Sequence, residues 1–338
     1  MKLRQQTLGA VKRLVVKVGT GVLTGAGAAP VVAQIVALRR QGKQVVLVSS
    51  GAIAAGMTAL GLKARPKKLE QLQACAAIGQ GKLMAGYDAL FGQHNLHVAQ
   101  VLLTHDDLRS RHRHLSARNT LLQLLADGVI PIINENDTVA VDEIKFGDND
   151  RLSALVATLV DADLLVILSH IEGVWDADKK RIPIIPAINR EIEALAGGTD
   201  RVTSVGGMKS KIESAKIVTR AGIPLVIADG ERADVLAAIL APEDVGTLFL
   251  PKSARLESRK RWIAFFQKPA GTLIVDDGAK RALCDAGKSL LAKGVARTEG
   301  DFAPGNVVSI CGTDGVEFAR GLTRDGDVIV HRDDLVIL

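Results

Sequence analysis

Cysteine is scarce. Cys75, Cys284 and Cys311 are too few and too scattered for a disulfide framework or a CxxC metal site, and they read as buried or idle thiols in a reducing compartment. Aromatic residues make up only 3% of the chain, so Val, Leu, Ile and Ala must fill the core. That composition suits buried parallel strands covered by helices. No uninterrupted apolar run reaches the roughly 18 residues of a membrane span. Lys17 breaks the apolar "LVVKVGTGVL" near the N-terminus, which excludes a signal peptide. These absences point to a cytoplasmic protein. The phosphate-loop pattern GxxxxGK[ST] occurs nowhere, and the D-x-[DN]-x-[DN]-G calcium loop is missing as well. His112 and His114 are two residues apart and diverge on a helix, so "LRSRHRHLSARNT" reads as an exposed cationic face rather than a metal site.

What is present fits one large domain followed by a small one. At 47% hydrophobic and 24% charged, the 338 residues carry no disorder bias. The net charge of +6 is uneven: residues 251–268 hold +5, residues 269–338 hold −3, and residues 1–250 hold +4. Strand-like runs "RLVVKVG", "QVVLVSS", "VAQVLL", "VIPIIN", "LLVILS" and "PLVIAD" alternate with helical patterns at 30–41, 69–91, 113–126, 151–160 and 208–221. Alternation of this kind predicts a mostly parallel sheet covered on both faces, with ligands at the carboxyl ends of its strands. After the basic stretch the texture changes to short strands between Gly and Asp turns, which predicts a small, mainly β barrel domain with a helix near 279–284. The expected division is 1–250, a basic linker 251–268, and 269–338.

The densest chemistry lies in "INENDTVAVDEIKFGDND", residues 133–150, where six carboxylates and three asparagines surround Lys145. A metal cage, a solvated loop and a grip on a cationic group all remain open from composition alone. Three glycine-bearing turns point the other way, toward anions. Lys17 ends a strand that runs into Gly19, Thr20 and Gly21. Ser49, Ser50 and Gly51 lead into an Ala-rich helix, where capping and anion binding are both served. "SVGGMKSK" brings Lys209 and Lys211 to a helix start, a cationic placement that the helix dipole disfavours unless an anion is present. A nucleoside triphosphate beside an amino acid has this profile.

In order and spacing, "KVGTGVLT", "SSGAIAAG", "INENDTVA", "KFGDNDRLSALVA" and "GGMKSK" resemble the glutamate-phosphorylating branch of the amino acid kinase family. The tail segments "GTLIVDDGA", "SLLAKGV", "GDFAPGNVVSI" and "HRDDL" resemble a PUA domain. The resemblance implies a three-layer α/β/α amino acid kinase fold with a PUA-like β domain. It implies transfer of the ATP γ-phosphoryl group to the γ-carboxylate of L-glutamate, the first step of proline synthesis. It also implies Mg²⁺ carried on the nucleotide phosphates, with no dedicated protein metal site.

By motif, Lys17 and Lys211 match the lysines that neutralise the transferring group, and Asp150 the aspartate that holds them. Ser50, Gly51, Asn134, Asp137 and Asn149 match substrate-binding positions, with Asp137 chosen for the α-ammonium. Lys17, Gly19, Ser169, His170 and the run Val205, Gly206, Gly207, Met208, Lys209, Ser210 and Lys211 match the nucleotide side. Ser169-His170 stands where the family has Ser-Asp or Thr-Asp, and the segment from "ARGLTRDGD" to "VIVHRDDL" is shorter than in familiar members. Proline as feedback inhibitor, a homo-oligomer and handover to glutamyl phosphate reductase are further implications. Two rivals are weighed: a sibling kinase for another carboxylate, carbamate or nucleotide, and an RNA-binding protein. The −3 tail argues against the second.

Overall fold

The β-branched runs form the expected strands because most are apolar at successive positions and buried on both faces, the edge strand Val98–Leu103 being the half-exposed exception. The computed structural model describes residues 2–25, 27–140, 149–195, 207–252 and 256–338. The chain divides into two compact units, Met1–Ala254 and Arg255–Leu338.

In the first unit the strands are β1 (Arg13–Val18), β2 (Gln44–Ser49), β3 (Val98–Leu103), β4 (Ile130–Glu135), β5 (Leu164–Ser169), β6 (Ile184–Ile185), β7 (Leu225–Asp229) and β8 (Thr247–Phe249). Their order in the sheet is β3-β4-β2-β1-β5-β7-β8-β6. All neighbours pair parallel except β7 and β8. The helices are α1 (Lys2–Leu8), α2 (Thr20–Gly25), α3 (Ala29–Arg40), α4 (Ala52–Ala59), α5 (Leu69–Gly92), α6 (His105–Arg109), α7 (Arg111–Ala126), α8 (Asn149–Leu159), α9 (Arg190–Leu195), α10 (Met208–Arg220) and α11 (Val235–Leu240).

Side chains alternate across β1. Leu14, Val16 and Val18 share a core with Val31, Ile35 and Leu38 of α3 and with Tyr87 and Phe91 of α5. Lys17, of opposite parity, meets α8 on the other face. The carboxyl ends of β1, β2, β4 and β5 thus gather Lys17, Ser49, Asn134 and Ser169 at one edge, where parallel sheets place their ligands.

Two glycines set the approach of α4 to α5. A Cβ on Gly56 would lie 1.8 Å from the Cys75 carbonyl oxygen, and one on Gly79 would lie 1.8 Å from that of Ala52. The helices therefore touch backbone to backbone, which no other residue permits. At the far edge, the buried Arg4 of α1 donates to the carbonyls of Pro183, Val245 and Gly246 at 2.8 Å each and of Glu243 at 3.2 Å.

The second unit holds β9 (Gly271–Val275), β10 (Leu290–Leu291), β11 (Val295–Glu299), β12 (Val307–Cys311), β13 (Glu317–Thr323) and β14 (Val328–Ile337) in a mixed sheet ordered β10-β14-β13-β12-β9-β11. Helix α13 (Asp277–Cys284) follows α12 (Ser258–Arg261) in the chain and is capped by Asp276, which accepts from the Ala279 N–H at 2.7 Å. Much of the expected basic linker is folded. After α12 the chain continues as a wide helical turn, Trp262–Phe266, whose Ile263 and Ala264 are buried with Val307 and Val336 of the sheet. Arg259 pairs at 2.6 Å with the buried Asp334 of β14. The apolar "WIAFF" inside the basic run supplies the burial that joins it to this unit.

Candidate active site

Lys17 leaves β1 one residue before its end, Asp150 sits in the first turn of α8, and Lys211 in the first turn of α10. The three meet. Lys17 Nζ lies 2.6 Å from Asp150 Oδ1, and Lys211 Nζ lies 3.0 Å from Asp150 Oδ2. Ser210 Oγ donates to the same Oδ2 at 2.8 Å. All three charged groups are buried. Burial alone would push the Asp150 carboxyl up, but the Lys17 and Lys211 charges and the hydrogen bonds from Lys17 and Ser210 outweigh it and hold the group at about 2. Two lysines held on one carboxylate concentrate positive charge at this wall, a setting that favours an anionic ligand.

That wall belongs to a cavity of about 400 Å³. Lys17, Gly19, Ser50, Gly51, Asn134, Asp137, Asn149, Ser169, His170 and Lys211, all expected as site residues, line it. The first turn of α4 lines it too: Gly51, at φ 108°, is the residue before the helix, no side chain caps it, and Ala52, Ile53 and Ala54 follow along the cavity. The unpaired N–H groups of a helix start favour anions. The Ser50 N–H is already committed to Val18 O at 3.1 Å, and the Gly19 N–H goes to Leu168 O at 3.3 Å. Backbone donors at the Ser50–Gly51 turn therefore come from α4 itself rather than from Ser50.

The same cavity is lined by amides and a carboxylate. Asn149 Nδ2 donates to Ser50 Oγ and to Asn134 Oδ1, each at 3.0 Å. Asp137 lies beside them on the cavity wall, where burial pushes its carboxyl up to about 6 despite the opposing charge of Arg65. Ser49 and Tyr87 share a hydrogen bond of 2.9 Å beneath the Ser50 turn, and burial pushes the Tyr87 phenol up to about 12.

Of the expected nucleotide residues, Gly207, Met208 and Lys209 are not among the cavity-lining residues, and Ser210 turns toward Asp150. Val205 and Gly206 fall outside the described residues, as do Asp142, Glu143, Lys145 and Asp148. Sequence reasoning missed Arg65, Glu135 and Thr20, which also line the cavity. The proline after Arg65 and the "INEN" context of Glu135 were the only local signals. Among the described residues, no helix is long and apolar enough to cross a membrane.

A parallel-sheet kinase-like unit with a lysine–aspartate–lysine cluster has a known family setting. The pattern of the Amino acid kinase family matches residues 12–229, and that of the PUA domain matches residues 271–325. The chain belongs to the amino acid kinase family. Curated relatives that match it from end to end carry the name Glutamate 5-kinase. One from Pelobacter propionicus is 48% identical over 373 aligned positions, covering 99% of this chain and 100% of the relative. Another from Geobacter sulfurreducens is 46% identical with the same coverage, and one from Moorella thermoacetica is 46% identical over 98% of this chain and 97% of its own length. An alignment of 373 positions exceeds the 338 residues here, so the relative holds residues this chain lacks. Among solved structures, a carbamate kinase from Giardia shares the fold, with a TM-score of 0.51 at 18% identity, over 72% of this chain and 100% of that one.

Proposed function

We propose that this protein is a glutamate 5-kinase, transferring the γ-phosphoryl group of ATP to the γ-carboxylate of L-glutamate to give L-glutamyl 5-phosphate. The observation that carries the reading is the buried Lys17–Asp150–Lys211 cluster, whose two lysines line a cavity together with Asp137, Asn134 and Asn149. The lysines suit a phosphoryl group, and the carboxylate and amides an amino acid. The end-to-end relatives named Glutamate 5-kinase support the choice of glutamate.

The chemistry needs no general base. A glutamate γ-carboxylate has an ordinary pKa of about 4.3 and is an ionised nucleophile at neutral pH. The barrier is electrostatic, because that carboxylate must approach an anionic phosphoryl group. Lys17 and Lys211 lower it by neutralising charge on the transferring group, in positions fixed before the reaction by Asp150. Asp137 takes the α-ammonium, with Asn134 and Asn149 beside it. Ser50 and the α4 helix start receive a substrate carboxylate. Ser169, His170, Gly19 and Lys211, which line the cavity, serve the nucleotide side. Mg²⁺ carried on the ATP phosphates would supply further positive charge there. Asp150 has both oxygens committed to Lys17, Lys211 and Ser210, so it is not offered as a metal ligand.

The protein works in the cytoplasm, as a homo-oligomer, with proline competing near the glutamate site and a reductase consuming the labile acyl phosphate. ADP release measured with glutamate, N-acetylglutamate, aspartate and carbamate tests the reading. Turnover of glutamate alone is expected, and turnover of N-acetylglutamate without glutamate would overturn it.

A further inference from the structure

A side-chain amide can be turned end for end, and only a neighbour of fixed polarity decides which end is which. At this site the backbone supplies one. The Glu135 N–H donates to Asn134 Oδ1 at 2.9 Å. Asn134 Nδ2 therefore lies on the other side, where it donates to Gln80 Oε1 at 2.9 Å. Asn134 Oδ1 also accepts from Asn149 Nδ2, and that same Nδ2 donates to Ser50 Oγ. A hydroxyl has one proton, so Ser50, accepting from Asn149, keeps its own proton for a group in the cavity. Donation thus spreads from Asn149, to Ser50 at the cavity on one side and through Asn134 to Gln80 of α5 on the other.

Gln80 does not line the main cavity; it lines a small neighbouring one with Glu135 and Asp137. It reaches Asn134 because Gly79 lets α5 meet α4 backbone to backbone. Asn134 is buried, and among the described residues Gln80 is the acceptor for its amide N–H₂. Without that acceptor a buried donor is left to be satisfied by a shift of the amide. The Glu135 N–H keeps the amide the same way round, so what Gln80 governs is its placement, on which the bond to Asn149 depends.

We propose that Gln80 is a positioning residue of the substrate site: by accepting from Asn134 it holds the amide whose Oδ1 anchors Asn149 beside Ser50, and so keeps Ser50 placed as a hydrogen-bond donor to a carboxylate of the amino-acid substrate. The proposal rests on the glutamate reading for its substrate and on these hydrogen bonds for its mechanism.

The test compares Gln80→Met, which removes the acceptor, with Gln80→Glu, which keeps it, each with and without Ser50→Ala. The Met variant is expected to raise KM for glutamate by roughly tenfold, with KM for ATP held within about twofold. Gln80→Glu is expected to stay near wild type. Ser50→Ala should raise the glutamate KM by roughly tenfold in the wild type but by less than about twofold in the Met variant, because both act through one chain. Equal Ser50→Ala factors in the two backgrounds, a parallel rise in the ATP KM, or a Glu variant that behaves like the Met variant would each overturn it. A substrate-free measurement separates this inference from the functional reading. The side-chain amide resonances of Asn134 and Asn149 should shift in Gln80→Met and not in Gln80→Glu. Unshifted resonances in the Met variant overturn the chain, whereas a wild type that fails to phosphorylate glutamate overturns the functional reading alone.

Discussion

Replacing Asp137 by Asn should make the ligand-free protein more stable while weakening its hold on glutamate. Burial pushes the Asp137 carboxyl from the ordinary 3.8 up to about 6, with Arg65 opposing. A rise of about two pKa units corresponds to roughly 3 kcal/mol of disfavoured charge. The folded state binds this proton more tightly than the unfolded chain, so the penalty is absent below pH ~4, grows between ~4 and ~6, and is complete above ~6. Asn carries no such charge. At pH 8 urea unfolding of Asp137→Asn should therefore show up to about 3 kcal/mol of added stability, or roughly 5–10 °C in Tm for a unit of this size. The advantage should vanish by pH ~4. The same variant should raise the KM for glutamate far more than that for ATP, since an ammonium loses its counter-charge. In the wild type, kcat/KM for glutamate should decline as pH falls through ~6 and Asp137 takes up its proton. A variant no more stable than wild type at pH 8, or one whose two KM values rise together, would refute the reasoning.

Two other outcomes follow from the geometry. Lys17→Ala and Lys211→Ala should each lower kcat by orders of magnitude, because each removes a buried positive charge from the wall that meets the transferring group; single-turnover rates check this, and wild-type rates in either variant would exclude the role. Gly79→Ala places a Cβ 1.8 Å from the Ala52 carbonyl oxygen, so α4 must shift; a loss of roughly 1–3 kcal/mol in unfolding free energy is expected, with a rise in the glutamate KM, and unchanged values of both would contradict the close packing.

Much of this was legible in the sequence for a simple reason: the strands of a parallel sheet announce themselves as apolar runs. "VAQVLL" and "LLVILS" coincide with β3 and β5, and the acidic stretch delivers Asn134 and Asp137 at one end and Asn149 and Asp150 at the other. What escaped was made by distance. Gln80 meets Asn134 across 54 residues, and nothing in an Ala-rich helix marks it. Gly79 was the one available clue, because a glycine inside a helix costs about 1 kcal/mol relative to alanine and often marks a close approach. Charge counting misread 251–268, since the sum of its lysines and arginines hid "WIAFF" and the partner that Asp334 gives to Arg259. Helix α1 carried no signal either, because the partners of Arg4 are carbonyl groups, which every residue has.

Arg4 also bears on how the first unit is made. Its carbonyl partners lie 179 to 242 residues further along the chain. A growing polypeptide thus exposes α1 long before the groups that will bury its guanidinium exist. The β8–β6 end of the sheet closes only after Gly246 has been added, and α1 must wait for it. Contacts of such long separation slow folding and tie distant parts into a single cooperative event. Helix α1 is, in this sense, a latch that the earliest residues hold open and the latest residues of the unit shut.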